Sequence, residues 1–168
     1  MGTRFADGPS VEVEVYVDAS PGCVWRLVTD ISLPARFSHE YQGGEWVEGS
    51  DGPARGARFT GRNRHPAIGE WETTCTVVEC APERVFAWAV NDLEHPAASW
   101  RFELEPQASG TRLRQSARLG PGPSGLTWAI KRAPDQEERI VADRLDELRD
   151  NMLATLEGIK AIAEEQSP

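Results

Sequence analysis

Cysteine and histidine are scarce in this sequence, which contains three of each. Cys23, Cys75 and Cys80 do not form a C-x-x-C spacing, and no histidine lies near enough to suggest a zinc motif. An odd number of cysteines argues against a disulfide framework, and their spacing argues against a structural metal site. We therefore predict three small buried thiols, with neither a metal nor a cofactor.

Long apolar segments and excess positive charge are also lacking. No apolar run approaches the roughly 20 residues that span a bilayer, and the N-terminal MGTRFADGPS has no apolar stretch of the signal-peptide kind. Acidic residues outnumber basic ones by 27 to 18, giving a formal net charge of −9. Nucleic-acid binding needs a basic stripe, so this balance argues against it. We expect a cytoplasmic protein without a membrane span.

The front of the chain predicts one strand followed by two short helices. The segment VEVEVYVD (11–18) alternates strictly between apolar and polar residues, as a half-buried strand does. Ser20 can cap a helix that has Pro21 in its first position. The segment ISLPARFSHEY predicts a second short helix, with Ser32 as its cap and Pro34 in its first turn.

The segment from Tyr41 to Leu119 predicts six antiparallel strands separated by turn clusters. Placing Arg64 opposite Glu70 in the hairpin at HPAIG also places Arg62 opposite Glu72, so that opposite charges pair on the water-facing side. The same register assigns three pairs to the inner face: Asn63 with Trp71, Gly61 with Thr73, and Phe59 with Cys75.

The register of the segment VFAWAV is ambiguous. Hairpin counting places Val85 and the alternate residues after it inside, whereas side-chain size places Phe86, Trp88 and Val90 inside. We choose the larger side chains and infer a β-bulge near Val78.

The C-terminal segment predicts a long amphipathic helix, preceded by one or two helical turns in LTWAIKR. Asp135 and Glu138 indicate a capping box at its start, and Gly158 weakens the helix without ending it. Apolar residues then recur at spacings of four and three, forming one stripe: Val141, Leu145, Leu148, Met152, Leu156 and Ile159. The concave face of the sheet is the only large surface that this stripe could cover.

Small and polar residues on the inner sheet face predict an internal cavity. Gly61, Asn63 and Thr73 would not fill the space between a curved sheet and a helix lying across it. We expect aromatic walls with a few polar groups that orient a ligand. The candidate ligand-binding residues are Phe59, Gly61, Asn63, Trp71, Thr73, Trp88, Trp100, Phe102, Gln115, Arg144, Leu148 and Met152.

Two of these candidates allow more than one interpretation. Gln115 stands on an otherwise apolar strand face and needs a partner if buried, which a ligand, water, Asn63 or Thr73 could supply. Arg144 lies at the edge of the apolar stripe. It either extends to water or offers a fixed donor fork to the carboxylate or enolate of a ligand.

No catalytic constellation is visible, because nothing places a base beside a nucleophile. His65 is either a solvated loop residue or a proton carrier at the cavity rim beside Asn63. His95 is expected to be a solvated loop residue. Glu40, with Tyr41, follows the second short helix, where a cavity entrance would lie, and we interpret Glu40 as a solvated loop acid.

Taken together, the pattern resembles the helix-grip proteins of the START-like superfamily (SRPBCC), and within it the polyketide cyclase/dehydrase branch. The resemblance covers roughly 11–165 and is carried by VDASPGCVWRLVTDISLPARFS, GARFTGRN, WETTCTVVECAPERVFAWAV, SWRFELEPQASGTRLRQSARLGPGP and the final helix. It implies an α+β fold in which a curved seven-stranded antiparallel sheet wraps around a long C-terminal helix. Two short helices follow the first strand, and residues 1–168 form a single START-like domain.

The resemblance also implies a function class, since members of this superfamily bind hydrophobic or polycyclic molecules, lipids among them, between sheet and helix. We expect binding of a hydrophobic, cyclic small molecule. The alternative is a polyketide aromatase/cyclase or dehydratase, in which His65 or a tyrosine shuttles protons. A third hypothesis is a module that docks a protein partner. The inner polar residues are mostly amides, which are poor acid–base groups, and this favours binding over catalysis.

Overall fold

The computed structural model describes residues 2–166, in which seven strands form one antiparallel sheet. The strands are β1 (Ser10–Val17), β2 (Tyr41–Trp46), β3 (Arg58–His65), β4 (Gly69–Ala81), β5 (Val85–Val90), β6 (Ala98–Gln107) and β7 (Gly110–Leu119). Their order is β1-β7-β6-β5-β4-β3-β2, so successive hairpins build the sheet and β1 closes it beside β7.

Within residues 2–166 there are three α-helices: α1 (Pro21–Val28), α2 (Gly125–Arg132) and α3 (Glu137–Gln166). The long helix α3 packs against β1, β7 and α1. The predicted helix-grip fold is therefore confirmed.

The predicted register of the β3–β4 hairpin is confirmed at every pair. Arg64 lies opposite Glu70 and Arg62 opposite Glu72, and the three inner pairs follow from the same alignment. The bulge is confirmed as well, because the β4–β5 register shifts between Val77 and Glu79. Large side chains of β5 can therefore reach the concave face.

The first helix begins as predicted, with the Ser20 Oγ accepting a hydrogen bond from the Cys23 N–H. The second helix is shorter than predicted and is a 3-10 turn over Leu33–Arg36. Ser32 does not cap it, since its backbone is helical rather than extended. Instead, the Ser32 N–H and hydroxyl both donate to the Asp30 carboxylate.

The apolar stripe of α3 is buried as predicted, but the start of the helix differs. A 3-10 turn over Pro134–Gln136 precedes it, so Asp135 is not its cap. Instead, the Asp135 carboxylate accepts a hydrogen bond from the side-chain amide of Gln136. Gly158 makes room for Phe37, whose ring atoms lie 2.5 Å from where a Cβ would stand. Neither α3 nor another helix within residues 2–166 is long and apolar enough to cross a bilayer.

The three cysteines are free thiols. Cys23 and Cys75 are buried as predicted, whereas Cys80 is only partly buried. The difference follows from position, because Cys80 comes after the bulge and near the end of β4, where the strand leaves the core.

Candidate ligand-binding cavity

A cavity of about 420 Å³ lies between the concave face of the sheet and α3. Its size falls within the range of small-molecule sites, about 300–1,000 Å³. Besides sheet and helix, its wall includes residues near the 3-10 turn at Leu33–Arg36 and residues at the start of α2. Ten of the twelve candidates line it: Asn63, Trp71, Thr73, Trp88, Trp100, Phe102, Gln115, Arg144, Leu148 and Met152.

Phe59 and Gly61 do not line the cavity, contrary to the prediction. Phe59 is buried edge-on between Trp46 and Trp88, with ring centroids 5.6 and 5.8 Å away. The space over Gly61 is taken by Tyr41, since a Cβ added to Gly61 would stand 3.2 Å from the tyrosine Cε1. The glycine thus admits a neighbouring side chain rather than a ligand.

Tyr41 is a wall residue that was not among the candidate ligand-binding residues. Its hydroxyl donates a hydrogen bond to the Ile31 carbonyl at 2.7 Å. Burial, with the nearby Cys75 as a second cause, raises the pKa of Tyr41 well above its usual range. The residue is therefore a neutral phenol whose proton is already engaged. The glycines at 44 and 61 were the available signal, because together they leave a slot for one ring.

Stacked aromatic rings form the sheet side of the wall. Trp88 and Trp100 lie opposite each other on β5 and β6, with centroids 6.2 Å apart and planes 9° apart. Phe102 and Phe86 pack against Trp88 at centroid distances of 5.9 and 5.4 Å. Such a wall provides a large apolar surface of fixed shape for a planar ring system.

Gln115 has an unpaired oxygen at this wall. The residue is 6% exposed, and its Oε1 atom has no hydrogen-bond partner within the part of the chain that the structure describes. The protein partners considered from sequence do not satisfy it. It lies opposite Phe102 on β6, and both residues line the same cavity as the tryptophan pair. A buried amide oxygen without a donor is costly. The oxygen itself is fully buried, so a rotation of the amide toward the cavity would let a ligand or water donate a hydrogen bond to it.

The Cys75 thiol also lines the cavity but is not set up as a nucleophile. Burial raises its pKa to about 11, although the contact with the Thr73 hydroxyl at 3.7 Å acts in the opposite direction. A reactive cysteine needs a lowered pKa, since the thiolate is the nucleophile. Cys75 is therefore an inert, slightly polar part of the wall.

Arg144 reaches neither bulk water nor an open ligand position, because Glu40 fills its donor fork. The two guanidinium nitrogens Nη1 and Nη2 donate to the two Glu40 oxygens at 2.6 and 2.7 Å. The side chains are only 19% and 14% exposed, so the interpretation of Glu40 as a solvated loop acid was wrong. Burial alone would lower the pKa of Arg144, but the Glu40 contacts, with help from Glu147, raise it above its usual value.

His65 is held against α3 and is not among the wall residues. Its Nε2 lies 2.8 Å from the Glu147 carboxylate, and its Nδ1 accepts a hydrogen bond from the Ala67 N–H at 3.0 Å. Because Nδ1 accepts, the neutral ring carries its proton on Nε2 and donates it to Glu147. The interpretation as a solvated loop residue is therefore wrong, since His65 ends β3 and its side chain is 17% exposed.

The chain just before β2 is fixed to α3 at two points. The Asn151 Oδ1 accepts a hydrogen bond from the His39 N–H at 2.8 Å, and Arg144 holds Glu40. Ser38 adds a local turn, since its hydroxyl oxygen accepts from the Glu40 and Tyr41 amides. These contacts hold Glu40 and Tyr41 at the cavity wall. The sequence signal was the seven-residue spacing of Arg144 and Asn151, which puts both side chains on the same side of α3.

Comparison with known protein families identifies the family of this chain. Residues 8–152 match the family described as "Polyketide cyclase / dehydrase and lipid transport". The chain belongs to this family. The resemblance seen in the sequence is thereby confirmed.

Several solved structures are similar to this family member. The solution NMR structure of the Polyketide_cyc-like protein Cgl2372 from Corynebacterium glutamicum has 29% sequence identity and a TM-score of 0.67. The alignment covers 98% of this chain and 94% of that one. None of the curated proteins matches the chain.

Two larger proteins share the fold. They are the di-domain ARO/CYC protein StfQ from the steffimycin pathway, with a TM-score of 0.71 and 15% identity, and the di-domain ARO/CYC protein BexL from the BE-7585A pathway, with 0.67 and 19%. The alignments cover 94% and 95% of this chain but only 51% of each of those chains. The chain spans about half their length, and at these identities the likeness concerns the fold alone.

Proposed function

We propose that this protein binds a hydrophobic, cyclic small molecule in the cavity between the sheet and α3. The observation that carries the proposal is a cavity of about 420 Å³ whose wall holds both the stacked Trp88 and Trp100 rings and Gln115, the residue with an unpaired amide oxygen. A ring compound with a hydrogen-bond donor would pack on the aromatic wall and pair this oxygen.

Affinity would come mainly from burial, at roughly 25 cal/mol for each Å² of apolar surface removed from water. Polar groups would set the orientation, and Asn63 and Gln115 are the two wall amides from the sheet. Membership in a family whose description includes lipid transport supports a hydrophobic ligand.

The test is a thermal-shift screen of the full chain, with native mass spectrometry to detect a ligand that co-purifies. The panel contains naphthols, hydroxyanthraquinones, sterols, quinones and fatty acids. A binding compound should raise the melting temperature, and Trp100→Ala should reduce that shift because Trp100 forms part of the wall. Trp128→Ala is the matched control, since Trp128 is 54% exposed on α2 and is not among the wall residues.

The outcomes separate cleanly. A shift that Trp100→Ala reduces and Trp128→Ala preserves supports binding in the cavity. No co-purifying mass and no shift with any class would contradict the proposal. Equal losses in both variants would place the binding elsewhere on the molecule.

A polyketide aromatase/cyclase or dehydratase acting in the same cavity is the second candidate, favoured by the family description. Tyr41 and Cys75 hold their protons firmly, so positioning of a flexible chain would have to supply most of the rate. Incubation with a linear poly-β-ketone thioester tests this, with cyclised product detected by mass spectrometry. Turnover that Trp100→Ala abolishes and Trp128→Ala preserves would replace the carrier function with catalysis.

A further inference from the structure

Carboxylates outnumber cations on the cavity wall. Four charged residues line it within residues 2–166, and they are Asp30, Glu40, Glu72 and Arg144. By strand alternation Glu72 belongs to the outer face with Arg62, and Asp30 is exposed, which leaves the Glu40 carboxylate and the Arg144 guanidinium for the interior. Glu147 adds a further negative charge 3.5 Å from Arg144. The electrostatic potential in the cavity therefore disfavours an anion.

The one cation that could attract an anionic ligand is already paired. Glu40 meets the Arg144 fork with two parallel hydrogen bonds of 2.6 and 2.7 Å, the geometry that a ligand carboxylate would otherwise adopt. Glu40 is itself held in place, because its backbone carbonyl accepts from the Arg64 N–H and its N–H donates to Ser38. The pair is therefore part of a fixed wall.

We propose that Glu40 acts as a built-in carboxylate that excludes anionic ligands from Arg144, so that the cavity selects neutral hydroxylated ring compounds over the corresponding carboxylates. This inference rests on the proposed function and specifies its ligand class.

The physical reason is a difference in desolvation. A ligand carboxylate would have to separate Glu40 from Arg144 and leave one carboxylate unpaired in a poorly hydrated site. Glu147, 3.5 Å from Arg144, would add repulsion. A neutral hydroxyl group carries no such cost, and it is the kind of donor that the Gln115 oxygen lacks.

The experiment compares matched ligands by isothermal titration calorimetry near neutral pH. The pairs are 2-naphthol with 2-naphthoate and 1-pyrenemethanol with 1-pyrenecarboxylate, in which the ring system is constant and only the charge of the substituent changes. The wild-type chain is expected to bind each alcohol or phenol about tenfold or more tightly than its carboxylate.

Glu40→Gln tests the residue responsible. The glutamine amide is close in shape to the Glu40 carboxylate but does not neutralise the charge of Arg144. The affinity for carboxylate ligands is therefore expected to rise about tenfold, while the affinity for the alcohols changes little. Glu40→Gln combined with Arg144→Gln should lose this gain. Glu157→Gln, which removes one negative charge from the exposed side of α3, should leave both affinities unchanged.

Each result bears on a separate claim. Equal wild-type affinities for a neutral compound and its carboxylate would overturn the selectivity while leaving the proposed function intact. A folded Glu40→Gln variant without increased carboxylate affinity would overturn the role of Glu40. If that variant does not fold, the wild-type comparison still decides the selectivity. Failure of all four compounds to bind would overturn the inference, and the wider panel of sterols, quinones and fatty acids would then decide the proposed function separately.

Discussion

The ring of Tyr41 lies over Gly61. A Cβ atom on Gly61 would stand 3.2 Å from the tyrosine Cε1, and Gly44, opposite Gly61 in the β2–β3 register, faces the tyrosine hydroxyl. Two glycines on neighbouring strands thus form a slot for one aromatic ring. The slot brings Tyr41 onto the cavity wall and lets its hydroxyl reach the Ile31 carbonyl.

Gly44→Ala is expected to destabilise the protein by about 1–3 kcal/mol, because the new methyl group would overpack this slot. It would collide with the Tyr41 hydroxyl and stand 3.1 Å from the Thr60 carbonyl oxygen, which belongs to the sheet and cannot move aside easily. Urea denaturation measures the change in the free energy of unfolding. The substitution should cost less in a Tyr41→Phe background, where the hydroxyl is gone; an equal cost in both would mean that Tyr41 does not close the slot.

Gln115→Leu is expected to leave the ligand-free protein equally stable or to stabilise it by about 1 kcal/mol, since the unpaired oxygen is removed. Thr111→Val is the contrasting variant. Thr111 is fully buried and its hydroxyl donates to the Ala19 carbonyl at 2.8 Å, so its loss should destabilise by about 1 kcal/mol. Similar destabilisation of both variants in thermal unfolding would show that Gln115 has a protein partner.

Arg144→Met is expected to destabilise the chain by about 3 kcal/mol, because it leaves the mostly buried Glu40 carboxylate without its partner. Arg139→Met is the matched control on the same helix. The side chains of Arg139 and Asp143 are 78% and 68% exposed, and the Arg139 Nε lies 3.8 Å from the Asp143 Oδ2. Such exposed ion pairs contribute about 0.5 kcal/mol or less to stability. Equal losses for the two variants in urea denaturation would show that the Glu40 pair is no stronger than a surface contact.

Cys75 is expected to resist alkylation by iodoacetamide in the folded protein. With a pKa of about 11, only about a thousandth of this thiol is ionised near pH 8, and the rate should rise with pH until about pH 11. Cys80, whose pKa is also raised by burial but which is partly exposed, should be modified first. Peptide mapping by mass spectrometry follows each site, with denatured protein as the control in which all three thiols react. Modification of Cys75 as fast as Cys80 would contradict the assigned environment.

Local patterns account for the features that could be predicted. The β3–β4 register followed from two charge pairs, Arg64 with Glu70 and Arg62 with Glu72, because a strand alternates and a one-residue slip would reverse every side chain. The bulge followed from side-chain size at Phe86 and Trp88. Most of the cavity wall followed from the same alternation, together with the stripe of α3.

Polar partners could not be predicted in this way. Arg144 and Glu40 are 104 positions apart in sequence, and His65 and Glu147 are 82 apart. From its position in the sequence, each of these side chains could have faced water, a ligand or another side chain, and the sequence pattern excluded none of these partners. The prediction of an open space at Gly61 was wrong for the same reason, since Tyr41 comes from another strand.

The sequence by itself determined the strands, the helix stripe and the inner face, because backbone periodicity and side-chain hydrophobicity act over a few residues. Only the tertiary structure decided which polar atoms are paired and which are not. It closed the Arg144 fork with Glu40 and left the Gln115 oxygen without a partner. Hydrogen bonds and ion pairs depend on distances of a few ångströms between distant parts of the chain, and only the packing of α3 onto the sheet fixes those distances.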